Sequence, residues 1–246
     1  MDNKKFFDYI ESRGQSGYGA AIMVKTATDA KYSLLIASET APSVFSTSES
    51  FEFDLINSPV TGKIKGKSSL EDKEVEYLLH RDNVYRLEQL KNKTLDFLYV
   101  TPDLMGWHFV GTIATRPNDA GADVLRGTYT ITPMSADEAP IYNVENIVQE
   151  TVVFTNSIPD RISVGAAGAT VDFKTTVVGA TIAVVIYDFD NEGKLSSTPS
   201  TIFTSSSTSS SVTFTGTGAT GKTAMALCTA SATGYASWTT TIILKG

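Results

Sequence analysis

Apolar and acidic residues alternate along Phe51-Glu52-Phe53-Asp54-Leu55 and again along Glu74-Val75-Glu76-Tyr77-Leu78-Leu79. A period of two sends successive side chains to opposite faces of a strand. Each stretch therefore predicts a half-buried strand with its acids on one face and its Phe, Val or Tyr on the other. Gly62-Lys63-Ile64-Lys65-Gly66-Lys67 is a shorter alternation with basic residues. The period then changes. In Asp82-Asn83-Val84-Tyr85-Arg86-Leu87-Glu88-Gln89-Leu90, the residues Val84, Leu87 and Leu90 share one helical face. Asp82 suits the N-cap and Asn92 the C-terminal end. Two β-rich runs, Leu95 to Thr101 and Trp107 to Thr115, flank Pro102-Asp103-Leu104-Met105-Gly106 and predict a hairpin. After a polar loop at Arg116 to Asp123, Leu125 to Thr132 predicts one more strand.

The rest of the chain reads as all-β. Thr151–Thr155, Thr170–Lys174, Thr181–Asp188, Ser211–Thr215, Thr223–Thr229 and Trp238–Leu244 are short and β-branched, with Gly or Ser/Thr-rich turns between them. Their spacing predicts a small immunoglobulin-like β-sandwich, with the Ser/Thr tract 196–217 alternating strand and loop around Thr201–Phe203. Charge divides the chain in the same place. Residues 1–150 hold 15 basic and 22 acidic residues, a balance of −7, whereas residues 151–246 hold 5 of each. The expected organisation is thus an N-terminal domain over 1–150, with an arm at about 1–20, and an immunoglobulin-like domain over 151–246. The fold class is mainly β: an N-terminal sandwich or barrel with one flanking helix, followed by the second sandwich.

Composition narrows the chemistry. An acidic balance of −7 argues against a tight binder of phosphate backbones, which carries a basic footprint. The one cysteine, Cys228, permits no intrachain disulfide. Two histidines, His80 and His108, leave little for a His/Cys metal cluster or a Cys–His dyad. The longest apolar run, Ile182–Tyr187, is far shorter than the roughly 20 residues of a membrane-spanning helix. Asp8 and Glu11 interrupt the apolar N-terminal stretch, so no secretion signal is expected and folding in a cytoplasm is. Phe6, Phe7, Tyr9 and Ile10 predict a short amphipathic assembly arm, hinged at Gly14–Gly19.

Two motifs look chemical. Gly216-Thr217-Gly218-Ala219-Thr220-Gly221-Lys222-Thr223 satisfies the phosphate-loop pattern in full. It lies near the end of a β-rich region, and no Asp or Glu follows Glu192 to hold magnesium. The expectation is a Gly/Thr-rich turn. Asp188-Phe189-Asp190-Asn191-Glu192-Gly193 begins like a calcium loop, but Pro199 stands where the bidentate Glu is needed. A hairpin turn is expected there, with Asn191 and Gly193 supplying positive φ. Glu71, Asp72, Glu74 and Glu76 form an acidic cluster that reads as a solvated stripe, and no residue constellation predicts an enzyme. No cofactor and no metal are expected.

The order of elements carries a family resemblance. An N-terminal arm, strands around Phe51–Ile56 and Thr61–Leu79, a helix at Asp82–Lys91, the hairpin Leu95–Thr115 and a last strand Leu125–Thr132 follow one another. With the phrases Lys93 to Pro102 and Gly127 to Met134, residues 17–137 resemble the major tail tube proteins of long, non-contractile-tailed bacteriophages. The C-terminal part is similar to the immunoglobulin-like decoration that such proteins append. The resemblance implies a structural virion protein that stacks as hexameric rings into a tube with a continuous inner β-barrel. Its partners would be copies of itself, the tape measure, tail terminator and distal tail proteins, and double-stranded DNA in transit. No membrane is implied. Assembly would take place in the host cytoplasm, and the outer domain would touch host-surface glycans weakly. An acidic lumen would repel DNA phosphates, which makes Glu52, Asp54, Glu74 and Glu76 the candidate lumen residues, with Phe51, Phe53, Val75 and Tyr77 turned to the subunit core. The arm at 1–20 and the loop 29–50 would make contacts between rings or neighbours. The alternative is an adhesin or carbohydrate-binding module built on the immunoglobulin-like domain.

Overall fold

The computed structural model describes residues 20–36, 38, 47–54, 61–101, 104–117, 125–136, 139–208 and 210–246, and of 47–54, 61–69 and 117 the backbone. Over these residues the chain is mainly β, with one helix. It divides into two compact units, Met1–Val148 and Gln149–Gly246. The arm expected at 1–20, apart from Ala20, and the Gly14–Gly19 hinge lie outside the described residues, as does most of the loop 29–50 beyond Ile36.

The first unit runs β1 (Ala21–Lys25), β2 (Ser33–Leu34), β3 (Thr47–Asp54), β4 (Thr61–Ser69), β5 (Lys73–Leu78), α1 (Arg81–Leu90), β6 (Leu95–Val100), β7 (Gly106–Pro117) and β8 (Arg126–Ala136). Strands β3 and β4 pair with each other. The other strands form one open sheet in the order β2-β1-β6-β7-β8-β5, antiparallel throughout. No closed barrel forms among the described residues.

One face of this sheet is apolar across its width. Val24, Phe97 and Phe109 stand in one row, and Val75 and Tyr129 in another, all buried. Phe97 stacks on Phe109 at 5.1 Å between ring centroids, and Tyr77 meets Tyr129 at 5.9 Å. Such aromatic pairs add to the burial of their area. Helix α1 lies against this face: Leu87 and Leu90 are buried, and Thr115 on β7 donates to Glu88 at 2.9 Å. Arg86 reaches back to the Leu34 carbonyl at 2.7 Å and fixes the segment after β2. Gly127 stands directly against the Tyr77 ring. A Cβ there would come 2.6 Å from Cζ of Tyr77, so the bare backbone of β8 makes room for the ring on β5.

The helix starts differently from the sequence expectation. Its N-cap is His80, whose extended backbone and Nδ1, 3.3 Å from the Asp82 amide, fill the role expected of Asp82. Asp82 instead sits buried in the first turn. The reason lies in β5, which ends at Leu78: Leu79 still bonds to Leu125, so His80 is the first residue able to half-enter the helix. Asn92 ends the helix as expected, with φ of 60° in the left-handed region that Asn tolerates.

The second unit contains β9 (Arg161–Ser163), β10 (Ala169–Asp172), β11 (Thr181–Phe189), β12 (Leu195–Pro199), β13 (Phe203–Ser207), β14 (Ser211–Gly216), β15 (Thr223–Ser231) and β16 (Trp238–Lys245). A three-stranded sheet, β10-β14-β13, and a five-stranded sheet, β12-β11-β15-β16-β9, bury their apolar residues as a sandwich. One sheet contributes Val171, Phe203, Val212 and Phe214; the other contributes Ile182, Ile186, Ala226, Cys228, Trp238, Ile242 and Leu244. Thr151–Thr155, expected as a strand, makes only isolated bridges, at Thr151 to Ala236 and Phe154 to Thr175. Hydroxyl pairs tie neighbouring strands: Thr204–Thr215 at 2.7 Å and Thr170–Thr213 at 2.9 Å on the exposed face of the three-stranded sheet, and Thr229–Thr239 at 2.9 Å, part-buried, on the five-stranded one.

Candidate functional site

The face of the first sheet opposite the helix is divided in two. Over β2, β1 and β6 it is covered. Tyr32, Leu104, Val144 and Val148 pack with Ala21, Met23, Leu34, Leu98 and Val100 into a second buried cluster. This cover is anchored at Leu104, whose φ of 64° is strained for a side chain with a Cβ. Its amide donates to Thr101 and its carbonyl accepts from Val144, which holds that conformation in place.

Over β7, β8 and β5 the same face is polar. Register places Thr112, Ala114 and Arg116 of β7 beside Thr132, Thr130 and Thr128 of β8, and Thr130 and Thr128 beside Glu74 and Glu76 of β5. Ala114, Arg116, Thr132, Glu74 and Glu76 are exposed. Strand β5 alternates buried and exposed positions throughout, so Lys73, Val75 and Tyr77 go inward while Glu74 and Glu76 go outward. β5 is also the edge of the sheet and pairs only with β8 among the described residues.

Charge on this face is less one-sided than composition suggests. Arg116 bonds Glu74 across β8. Both side chains are more than half exposed, so the pair adds little stability, but it places a cation beside the acid. At the border with the covered half, Asp96 lies 3.6 Å from Lys25 and 3.7 Å from His108. Behind the polar face, burial pushes the Tyr129 phenol well above its ordinary range, opposed by its bond to Ser38. Burial, reinforced by the Glu88 charge, also raises Tyr77. Both are interior hydroxyls that stay neutral.

The candidate residues therefore fall into two groups. Glu74 and Glu76 share one exposed face, with Val75 and Tyr77 on the buried one. Glu52 and Asp54 lie on β3, in register with Lys63 and Thr61 of β4; their side chains, and those of Phe51 and Phe53, lie outside the described residues. Arg116 was not among the candidates. Its alternation with Ala114 and Thr112 could have indicated the shared face, but the partner strand could not be read locally.

The two chemical-looking motifs are both turns. In the segment from Gly216 to Thr223, which joins β14 to β15, the amides of Gly216, Thr217, Gly221 and Lys222 donate to Gly165, Ile202, Gly246 and Ala219. Gly218 and Gly221 take positive φ, and a strand follows where a phosphate loop needs a helix. In the 188–193 turn, the Asp190 carboxylate accepts from the amides of Glu192 at 2.9 Å and Lys194 at 2.8 Å. Gly193 takes the positive φ expected of it and Asn191 does not, because the carboxylate already closes the turn. Among the described residues no group of three or more His, Cys, Asp or Glu is placed to hold a metal ion, and no helix is long and apolar enough to cross a membrane.

The chain matches no protein-family model and no curated protein.

Proposed function

We propose that the chain is a structural subunit that associates with its own copies into hexameric rings, which stack as the tail tube of a long-tailed phage virion. The polar half-face of β7, β8 and β5 lines the bore. That half-face is the observation that carries the reading. Its sheet is fully packed on the reverse side, so the exposed surface is a stiff wall and not an unfinished core. Hydroxyls dominate it, and its charges balance: Glu74 and Glu76 stand against Arg116, which Glu74 engages, and Arg126 at the start of β8. A wall of balanced charge offers a sliding polyanion no net basic footprint to grip. β5 stands at the rim with a row of backbone groups that a neighbouring copy would pair, and closing edges in this way is how β-assemblies avoid indiscriminate pairing.

Glu74 and Glu76 are the lumen residues on which the proposal rests, with Glu52 and Asp54 as further candidates on the β3–β4 hairpin. The second unit decorates the outside. Its strand order, three strands against five with β9 parallel to β16, supports an immunoglobulin-like reading of the sandwich. The zero charge balance of residues 151–246 suits a surface with no electrostatic task. The remaining tail proteins and DNA in transit are the partners this reading implies.

Charge reversal tests it. Glu74→Lys combined with Glu76→Lys should leave rings and tubes visible by negative-stain microscopy. It should also make the tubes retain double-stranded DNA in low salt and release it as salt rises. Reversed tubes that pass DNA like the parent would remove the lumen assignment.

A further inference from the structure

The second unit has four sheet edges, and three of them are protected. β12 ends in Pro199, and its pairing with β11 is irregular between Tyr187 and Phe189. β9 is three residues long and starts with Arg161. β10 is covered by the chain before it: Asn156 bonds the Asp172 carbonyl and the Lys174 amide, and Thr155 donates to the Lys174 carbonyl. β13 has none of these devices. It carries no proline and no charge, and it sits within residues 195–221, which contain no Asp, Glu, Lys or Arg. Thr204 to Ser207 are exposed in the whole chain.

Register shows which backbone groups this edge presents. Thr217 donates to Ile202 and Thr208 donates to Ser211, so the even-numbered residues 202 to 208 bond toward β14. Antiparallel ladders alternate, so Phe203, Ser205 and Ser207 turn their backbone groups outward. The Phe203 amide is already taken by Ser200 Oγ at 3.1 Å. Among the described residues the open set is the Phe203 carbonyl together with both groups of Ser205 and of Ser207.

We infer that this edge pairs with β13 of a second copy of the chain, antiparallel, about a two-fold axis at Ser205. In that register each Ser205 exchanges both backbone groups with the other copy's Ser205. Each Ser207 amide meets the other copy's Phe203 carbonyl. The one outward group already spoken for, the Phe203 amide, falls at the end of the ladder and costs no central bond. The occupant is a copy and not a foreign peptide for two reasons. The open groups are self-complementary about their centre. The uncharged stretch also lets two copies approach without the repulsion that edge charges normally impose. The inference does not depend on the tube reading, which concerns β5.

Cross-linking of the full chain tests it. Hydrogen-bonded antiparallel partners have Cα atoms about 5.5 Å apart, within disulfide reach. The native Cys228 is buried. Ser205→Cys should therefore give a disulfide-linked dimer under mild oxidation, whereas Ser197→Cys on the protected β12 edge should not. Ser205→Pro removes an outward amide without touching the bonds to β14, so the fold should persist by circular dichroism. Association, measured by sedimentation, should weaken by about tenfold or more. Ser205→Lys should do the same by charge. A parent chain whose Ser205→Cys variant yields no more dimer than Ser197→Cys, or whose association is indifferent to both Ser205→Pro and Ser205→Lys, would overturn the inference. Loss of β13 pairing with rings intact would leave the proposed function standing; loss of rings with the Ser205→Cys dimer intact would strike that function alone.

Discussion

The two units bury their cores with different residues and leave different surfaces behind. The first packs large aromatics, Phe97, Phe109, Tyr77 and Tyr129, between one sheet and one helix. Half of its other sheet face is left to solvent, with Glu74, Glu76 and Arg116 on it. The second closes two sheets on each other and lines the inside of β15 with Ala224, Ala226, Cys228 and Ala230, so thin side chains bring the layers together. Hydroxyl pairs link its neighbouring strands. Half of one sheet face is therefore free for a task in the first unit, whereas the second buries its inner faces and also Met225, Leu227 and Ile243 on the other face of β15 and β16. Charge follows the same division.

The contrast can be broken most severely in the cores. Phe97→Ala and Phe214→Ala each remove a fully buried ring and should cost about 3–5 kcal/mol. Hydrogen exchange followed by mass spectrometry should localise the loss, to β6 and β7 for the first variant and to β13 and β14 for the second. Loss of protection across both units from either substitution would mean that the cores are not separate.

A smaller effect links core to site. Gly127→Ala drives a Cβ into the Tyr77 ring and should cost about 1–3 kcal/mol, as overpacking does. The change should loosen β5, so exchange should rise at Glu74 to Tyr77 before anywhere else. An unchanged β5 would show that the ring has room to shift and that Gly127 does not fix the edge.

The mildest test uses pH. Burial raises the Tyr129 pKa above the ordinary 10.0, so the folded state holds this proton more tightly than the unfolded state. The contribution is fully present below about pH 10 and is lost as pH climbs from there toward the folded value. Tyr129→Phe removes the Ser38 bond, which should cost about 1 kcal/mol at neutral pH. It should also flatten the alkaline fall in stability of the first unit, read by denaturant titration. An equal alkaline slope in the variant would assign that fall to other groups.

How much of this could be read locally follows from the same packing. The hairpin at Leu95–Thr115, the helix and the alternation of β5 are visible because each has a strong period and clear breakers. β15 is buried on nearly its whole length, and its β-branched flanks and turns still mark it as a strand. β1 passes unnoticed because Ala21 to Val24 is a short apolar run buried on both faces, which periodicity cannot assign. β2 and β9 are two and three residues long and exist only through their partners. β12, Leu-Ser-Ser-Thr-Pro, has no apolar period to detect. For the site, the outward face of Glu74 and Glu76 is legible from β5 alone. The cation that meets Glu74 is not, because Arg116 lies 42 residues away and arrives only through the register of β8 between them. Nor could the sequence say which half of the sheet face stays open, since Val144 and Val148 cover the other half from an irregular segment.

The measurement that bears most directly on the account is a cryo-electron-microscopy reconstruction of the purified protein under conditions that favour assembly. The account predicts rings stacked into a tube, with Glu74, Glu76 and Arg116 on the wall of the bore and β5 hydrogen-bonded to the next subunit. Particles that remain single chains at every concentration, or a tube whose bore is lined by another surface while the β7–β8–β5 face is buried, would contradict it.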